Sequence, residues 1–469
     1  MHPIDLGYTP ATELIALMRK KSLSPVELTR AVLDRIDKAN PKINAFCTLL
    51  PEQALAEAKR AEEAFARGEV HGALQGVPVS IKDLALTKGV RSMYGSFIFE
   101  HRVPDQDAPF VRRLKEAGAV IVGKTTTPEF GWKATGDSPL TGITRNPWNP
   151  DTTAGGSSSG AAAAAALGLG PLHHGSDGAG SIRIPSSFCG VFGLKPSFGR
   201  VPQWPVSNND NTTHHGPITR TVADAALMLS VMAGPDEWDR TSLEGRPADY
   251  IGEHERGVQG RRIAFSPNLG TLPVDAEVAT VVRAAARTFE DAGAVVDEVT
   301  PGFTDLRRAI RVMWSGHMAG NYGQFVRQWG NRMDPGLVAC IEDGLRLTLS
   351  DYVEARAQKL AAWDSMRPLW DRFDLLLTPT VSVAALPVGR LNPEHFPQHV
   401  WDWLGWAEFS YPFNFTGQPA ATVPAGFTSG GLPVGLQIVG RRFADLDVLQ
   451  AASAFERARP WAGRRPSVI

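Results

Sequence analysis

Three short segments of the chain contain residue types that are suited to nucleophilic and acid–base chemistry. Lys82 ends an apolar run, Ser157 lies in the glycine- and serine-rich segment 154–160, and Ser181 ends the small-residue segment 177–181. Hydroxyl and amine groups of this kind can act as nucleophile and base once a neighbour activates them. Each segment alone has an ordinary structural explanation, namely a strand end, a helix N-cap and a loop. Structure alone does not explain why all three occur together.

Segment 118–125 matches the Gly-x4-Gly-Lys-Thr pattern of a phosphate-binding loop. That loop needs a flexible backbone after a strand, whereas the variable positions here read Ala-Val-Ile-Val and form a strand pattern themselves. We therefore favour a strand followed by a turn. A nucleotide-binding protein that uses Lys124 remains a remote alternative.

Three further features resemble catalytic groups but have simpler interpretations. Segment 156–160 contains Gly-x-Ser-x-Gly, but the turn-rich segment 145–155 precedes it, where a nucleophile elbow requires a strand. Cys189 lies among apolar residues and is interpreted as a small buried side chain. We expect either loop packing or hydrogen bonding for the paired histidines His173, His174, His214 and His215.

Composition excludes several classes of protein. The 469 residues include 48 Lys and Arg against 49 Asp and Glu, a formal net charge of −1, which argues against nucleic-acid or anionic-membrane partners. Three cysteines without a Cys-x-x-Cys pair do not suggest a disulfide framework or a zinc site. The first residues lack a secretory pattern, and the longest apolar run, 161–172, is too short to span a bilayer. We expect a cytoplasmic protein with no metal and no cofactor.

Hydrophobic patterning predicts an α/β fold. The first 70 residues have helical patterns, including a helix with Ser24 as N-cap and Glu27 completing a capping box. Short β-branched runs then alternate with amphipathic helices, and 421–427 with 432–440 predicts a hairpin. The strand runs before this hairpin are 77–81, 119–122, 262–265, 294–299 and 374–380. We expect one large domain with a mixed, mostly parallel twisted sheet covered by helices on both faces.

The three segments that contain Lys82, Ser157 and Ser181, taken together, resemble the amidase signature family. The matching blocks are 76–83, 154–160 and 177–185, and Ser157 lies 75 residues after Lys82 and 24 before Ser181. Flanking matches occur at 123–130, 146–148, 193–196, 216–220, 374–380, 417–419 and 435–437. This resemblance covers nearly the whole chain and implies a single domain over 1–469. Its parts are an N-terminal helical segment (1–70), a signature core (75–225), a variable region (235–370) and a C-terminal part of the core (372–469).

The resemblance also implies a catalytic triad. Ser181 would be the nucleophile, Lys82 the base, and Ser157 the serine that bridges them after a cis peptide bond at Gly156–Ser157. Lysine can take a proton only when it is neutral, so its pKa must be lowered by burial or nearby positive potential. The end of an apolar strand in a closed site would supply that burial.

Further roles implied by the resemblance fall in the loop before Ser181. Its backbone amides would form an oxyanion hole, and polar side chains nearby would support the loop. The expected oxyanion residues are Gly178, Ala179 and Gly180, and the expected supporting residues are Ser158, Asp177 and Arg183. Ala179 departs from the glycine that is usual in the family, which adds a methyl group to this loop.

Aromatic residues suggest the substrate class. Segment 400–415 holds seven aromatic residues in 16, which would form either a core helix with its exit loop or the wall of a pocket. The pocket residues that we predict are Trp314, Trp401, Trp403, Trp406 and Phe409. We expect hydrolysis of hydrophobic or aryl small-molecule amides, extending to esters or carbamates, by a protein that is compatible with a homodimer. The main alternative is the glutamine-hydrolysing subunit of a tRNA-dependent amidotransferase.

Overall fold

The computed structural model describes residues 3–205, 207 and 211–468, and a large sheet lies at its centre. The strands are β1 Phe46–Leu49, β2 Pro78–Lys82, β3 Val120–Thr125, β4 Asp137–Ser138, β5 Gly142–Ile143, β6 Leu172–Asp177, β7 Phe192–Lys195, β8 His214–Thr219, β9 Arg262–Phe265, β10 Val295–Glu298, β11 Leu375–Pro379, β12 Ala420–Phe427 and β13 Pro433–Gly440. Within the described ranges, all but β4 and β5 join one sheet of eleven strands.

Helices flank this sheet. They are α1 Pro3–Tyr8, α2 Ala11–Arg19, α3 Pro25–Ile43, α4 Pro51–Ala66, α5 Pro109–Glu116, α6 Ser159–Ala166, α7 Arg183–Cys189, α8 Val222–Met232, α9 Tyr250–Glu253, α10 Ala276–Ala286, α11 Thr288–Asp291, α12 Arg307–Trp329, α13 Pro335–Leu345, α14 Leu349–Trp370, α15 Pro412–Phe415 and α16 Asp445–Ala458. Short 3-10 turns lie at Phe97–Phe99, Glu129–Gly131 and Leu404–Trp406. None of the described helices is both long and apolar enough to cross a membrane.

The sheet is mixed, as predicted, but it is not mostly parallel. Its strand order is β1-β3-β2-β6-β8-β7-β12-β13-β11-β9-β10. The parallel neighbours are β2 with β3 and β6, and β9 with β10 and β11. The other six pairs are antiparallel. The predicted hairpin explains part of this difference, because it lies between β7 and β11. Its strand β12 pairs antiparallel with β7, and its strand β13 pairs antiparallel with β11.

The N-terminal segment is mainly helical, with one departure. The Ser24 hydroxyl caps α3 by accepting the amides of Val26 and Glu27 at 3.0 and 3.3 Å, as predicted. The reciprocal half of the capping box is absent from the described hydrogen bonds, and Ser24 donates instead to Glu62 at 2.5 Å. Residues 46–49 form the edge strand β1, where helix was expected, and pair antiparallel with β3.

Small residues allow the elements around the three segments to pack closely. Helix α6 has the sequence Ser-Gly followed by six alanines, and all eight residues are buried. An alanine helix leaves little side-chain volume between backbones, so α6 can approach β2, β3 and β6 closely. Lys82 at the end of β2, the serines that begin α6 and the loop after β6 are thereby brought to one place.

Candidate active site

Lys82 is fully buried at the end of β2, and three serines surround its amine. Nζ lies 2.7 Å from Ser157 Oγ, 3.0 Å from Ser158 Oγ and 3.0 Å from Ser176 Oγ. A fourth contact, at 3.4 Å, reaches the Ser176 carbonyl oxygen. The structure therefore brings two of the expected catalytic groups, Lys82 and Ser157, into direct contact.

The environment of Lys82 favours a neutral amine. Burial lowers its pKa well below the usual lysine value, and the negative charge of Asp177 opposes this only in part. A neutral amine has a free lone pair and can accept a proton from a hydroxyl group beside it. Lys82 is thus suited to act as a base on Ser157.

Ser157 and Ser158 come from the turn that leads into α6. The Gly156–Ser157 peptide bond is cis, which confirms the bond expected from the resemblance. Glycine is needed at 156 because a Cβ there would lie 2.9 Å from the Thr135 carbonyl oxygen. Ser158 is the N-cap residue of α6, yet its hydroxyl makes no capping bond and donates to the Ser176 carbonyl oxygen at 3.1 Å.

Ser181 lines the same cavity as Ser157. Its backbone carbonyl oxygen accepts the Ser158 amide at 3.1 Å, which joins the two serine segments. Among the described residues, no hydrogen bond connects the hydroxyl groups of Ser157 and Ser181. Such contacts are often loose in a free enzyme and tighten when substrate binds.

A buried ion pair holds the loop before Ser181. The Arg183 guanidinium donates to both carboxylate oxygens of Asp177 at 2.9 Å. It also donates to Ser410 O, Gln437 Oε1 and Asn414 Oδ1 at 2.8, 2.7 and 2.6 Å. Burial alone would raise the pKa of Asp177, but the charge and hydrogen bonds of Arg183 lower it below its usual range. A charged Asp177 therefore connects this loop to the C-terminal part of the chain.

The loop presents fewer free amides than the sequence suggested. The Gly180 amide donates to Asp177 Oδ1 at 2.7 Å, so the structure contradicts its assignment to an oxyanion hole. The amides of Gly178 and Ala179 have no acceptor within the described ranges and remain available. Gly180 has another role, because its φ of +115° suits glycine and a Cβ there would lie 2.5 Å from Ser410 Oγ.

The cavity above these residues has a volume of about 230 Å³. Its wall is largely aromatic and apolar, with a few polar groups. Apolar and aromatic lining residues are Leu84, Ala85, Tyr94, Ala108, Phe110, Phe130, Trp204, Pro205, Trp314 and Tyr322. Polar lining residues besides the serines already named are Gln203, Ser207, Thr213, His215 and Asn321. A larger cavity, of about 1140 Å³, lies elsewhere around Trp148 and Trp461 and contains none of the catalytic candidates.

Of the five predicted pocket residues, Trp314 lines the cavity and the other four do not. Segment 400–415 forms a 3-10 turn and the short α15 in place of the expected core helix. Trp401, Trp403, Trp406 and Phe409 are buried in the protein core. Each indole N–H there already has an acceptor, in Asp343, Trp132 and Leu391 respectively. Packing of these rings against one another, rather than contact with substrate, accounts for the aromatic density of the segment.

The aromatic residues that do line the cavity come from distant segments. Phe130 lies in one of the flanking motifs, and the ring of Tyr322 on α12 stacks on it at 3.9 Å. Phe130 could have been identified from the sequence, because it lies in the flanking match 123–130, between β3 and the serine-rich segment 154–160. Tyr94, Trp204 and Tyr322 belong to no motif, so sequence reasoning had no means of finding them.

A match over most of the chain shows its family. The Amidase family model matches residues 27–449. The chain belongs to the amidase signature family. It is 41% identical to an acylamidase of Rhodococcus erythropolis over 99% of this chain and 98% of that protein. It is also 35% identical to a glutamyl-tRNA(Gln) amidotransferase subunit of Moorella thermoacetica, over 99% of both chains.

Solved structures agree with this family membership. The crystal structure of a bacterial aryl acylamidase of the same family superimposes with a TM-score of 0.90 at 32% identity, covering 97% of this chain and 99% of that one. Membership in this family, together with the acylamidase relatives, identifies the chain as an amide-hydrolysing enzyme of the amidase signature type.

The other motifs of this amidase are structural. Lys124 is fully buried within β3, as the strand interpretation predicted, and donates to Ala85 O and Ser92 Oγ at 2.7 and 2.8 Å. Cys189 is buried, and burial raises the pKa of its thiol. The four histidines lie on β6 and β8 and not in loops, although the expected hydrogen bonding is present. No group of three His, Cys, Asp or Glu side chains suited to a metal occurs in the described ranges.

Proposed function

We propose that this enzyme hydrolyses hydrophobic and aryl amides through an acyl-enzyme on Ser181, with Ser157 and Lys82 completing a triad. The observation that carries the proposal is the buried Lys82 amine, 2.7 Å from a Ser157 hydroxyl that borders the same cavity as Ser181. A serine hydroxyl needs a nearby base before it attacks a carbonyl carbon. Lys82 is the base whose pKa the protein lowers beside these serines.

The first half of the reaction forms the acyl-enzyme. The Ser181 oxygen bonds to the carbonyl carbon while its proton passes to Ser157, and the Ser157 proton passes to Lys82. Negative charge develops on the substrate oxygen, and the free amides of Gly178 and Ala179 are the donors for it. Donors of this kind contribute about 3–4 kcal/mol each to transition-state stabilisation.

Collapse of this intermediate breaks the C–N bond. Lys82 returns its proton through Ser157 to the leaving nitrogen, and the free amine departs. Water then attacks the ester carbon and gives a proton to the same relay. The C–O bond to Ser181 breaks, and the relay returns that proton to Ser181 Oγ. The carboxylic acid leaves, and every group of the triad regains its starting protonation state.

The cavity supports a substrate with an apolar or aromatic part. Tyr94, Phe130, Trp314 and Tyr322 border the space next to Ser181, and aromatic rings provide large apolar contact areas for ligands. A 41% identical relative is an acylamidase, and a similar solved structure is that of an aryl acylamidase, which supports an amide substrate with an aryl part. Ester and carbamate hydrolysis follow as extensions, because both pass through an acyl-enzyme on the same serine.

A glutamine-hydrolysing role is the second candidate, favoured by the similarity to an amidotransferase subunit over 99% of both chains. The substrate amino acid of that role carries two charged groups, whereas charged side chains are not among the residues that line the cavity within the described ranges. Release of ammonia from glutamine at a rate above that from aryl amides would favour this role over ours.

The proposal is tested by Ser181→Ala with a set of anilides, esters and carbamates. We expect kcat/KM to fall at least about 10,000-fold, because removal of a catalytic serine removes the covalent route. Ser22→Ala, at an exposed position, is the matched control and should retain full activity. A fluorophosphonate should label Ser181 in a peptide map of the wild-type enzyme. Turnover by Ser181→Ala within tenfold of the wild type, or labelling at another residue, would overturn the proposal.

A further inference from the structure

The ring of His215 borders the active-site cavity and has no part in the proposed triad. His215 of β8 is the register partner of Ser176 on β6. Directly paired residues of neighbouring strands project from the same face of a sheet. His215 therefore lies beside Ser176, whose hydroxyl contacts Lys82 Nζ at 3.0 Å.

Hydrogen bonds determine which ring nitrogen of His215 carries a proton. The Lys82 backbone amide donates to His174 Nδ1 at 3.4 Å, so that nitrogen is the unprotonated one. A neutral His174 then carries its proton on Nε2, which lies 3.0 Å from His215 Nδ1. His215 Nδ1 must accept this bond, which leaves the proton of a neutral His215 on Nε2.

Both rings are held neutral by their surroundings. Burial, the largest cause, lowers the pKa of His174 well below its usual value. Burial, the largest cause, lowers the pKa of His215 to about 3. Phe110 stacks on both rings, with centroids 4.3 and 4.7 Å away, and this fixes their planes.

His215 Nε2 is a buried donor on a residue that borders the cavity. The side chain is 6% exposed, and Nε2 has no hydrogen-bond acceptor in the part of the chain that the structure describes. An unsatisfied buried donor costs about 1–3 kcal/mol, and folded proteins keep few of them. A donor of this kind beside a substrate cavity calls for an acceptor supplied by the ligand.

We propose that His215 is a specificity-determining residue whose Nε2–H donates a hydrogen bond to an oxygen or nitrogen acceptor of the substrate other than the scissile carbonyl. The preferred substrates are aryl amides that carry an ether, carbonyl or similar neutral acceptor. An ammonium group at this position would bring its own N–H donors against the Nε2–H donor of His215 and is rejected. The inference rests on the proposed function, because it places the substrate in the cavity beside Ser181.

Protonation of His215 can be measured in the wild-type protein. Nitrogen-15 NMR of the histidine-labelled enzyme should show a neutral ring with the proton on Nε2, and a neutral His174 that is also protonated on Nε2. His215→Phe identifies the resonances of residue 215. A proton on Nδ1 of His215, or a charged ring at neutral pH, would overturn the proposal.

Substrate discrimination provides the second test. Acetanilides with a methoxy group at the ortho, meta or para position are compared with their ethyl counterparts, which have similar size but no acceptor. The wild type should prefer methoxy at one position by about 10-fold in kcat/KM, largely through KM. His215→Phe keeps a ring that can stack on Phe110 and should reduce this ratio to near one. Electronic effects on the leaving group cancel when the two ratios are compared.

Controls separate this inference from the proposed function. His101→Phe makes the same change at an exposed residue and should keep the wild-type ratio. His215→Gln retains a donor and should keep a preference for methoxy above that of His215→Phe. Equal methoxy-to-ethyl ratios in the wild type and His215→Phe at every ring position, while Ser181→Ala is inactive, would refute the role of His215 alone. An active Ser181→Ala would refute the proposed function itself.

Discussion

The active-site cavity joins two regions that are held together by different forces. Its polar centre consists of Lys82, Ser157, Ser158, Ser176 and the Asp177–Arg183 pair, and hydrogen bonds of 2.7–3.4 Å fix these groups. Its aromatic wall consists of Tyr94, Phe130, Trp204, Trp314 and Tyr322, where ring contacts such as the Phe130–Tyr322 stack dominate.

These forces differ in how strictly they determine geometry. Hydrogen bonds depend steeply on distance and angle, whereas ring packing tolerates changes in side-chain type when volume is conserved. We therefore expect the polar centre to determine which bond is broken and the aromatic wall to determine which amides are accepted. Substitutions in the two regions should consequently change different kinetic constants.

Replacement of Lys82 is the strongest test of the polar centre. Lys82→Met keeps the length of the side chain but removes the base, so kcat should fall about 100- to 10,000-fold for aryl and aliphatic amides alike. Kinetics on one substrate of each kind measure this, and circular dichroism checks that the protein is folded. Lys88→Met, at an exposed lysine, should change neither constant. A loss confined to aryl amides would contradict the division between the two regions.

The aromatic core behind the wall should behave differently from the wall itself. Trp406 is fully buried, stacks near Phe188 at 5.9 Å and donates to the Leu391 carbonyl oxygen at 3.1 Å. Trp406→Ala should lower the free energy of unfolding by about 3–5 kcal/mol because it leaves a cavity. Urea unfolding measures this loss, and the aryl-to-aliphatic ratio of kcat/KM should stay unchanged. A changed ratio with unchanged stability would show that Trp406 contacts substrate after all.

Sequence and structure agree best where local patterns also specify contacts. The resemblance to the family led us to expect Lys82, Ser157 and Ser181 at one site. The structure places Lys82 beside Ser157, and it places Ser157 and Ser181 at one cavity. The Gly180 amide was misassigned because a side chain three residues earlier, Asp177, competes for it, and no sequence pattern records such competition.

Apart from Trp314, the aromatic wall could not be predicted, because its residues converge only in the folded chain. Aromatic density in 400–415 was a correct sign of burial, but burial against the core and burial against a ligand look identical in a sequence. The prediction of a mostly parallel sheet was wrong for a similar reason. The β12–β13 hairpin was visible, yet its insertion between β7 and β11 depends on long-range packing.

The pH profile should distinguish the base from other buried groups. Lys82 acts when neutral, and burial lowers its pKa, so kcat/KM should be constant above that pKa and fall about tenfold per pH unit below it. Stopped assays on an uncharged anilide across the stable pH range measure the profile. The residual activity of Lys82→Met should lack this acidic decrease.

Glu129 is the competing group in this measurement. Burial raises its pKa to about 7, and it lies next to Phe130 of the wall. Glu129→Gln should leave the acidic decrease in place if Lys82 is responsible. Loss of the decrease in this variant would assign it to Glu129 and show that the wall, too, contains a group that controls the reaction.

The smallest expected effect isolates one ring of the wall. Tyr322→Leu removes the ring that stacks on Phe130 at 3.9 Å and should reduce kcat/KM for an anilide about fivefold relative to an aliphatic amide of equal volume. The change should appear in KM, because the ring takes no part in proton transfer. We expect it to contact the substrate equally in the ground state and in the transition state. Tyr322→Phe keeps the ring and should keep the ratio. If Tyr322→Leu lowers kcat for both amides equally, the wall takes part in the chemical step and the two regions act as one.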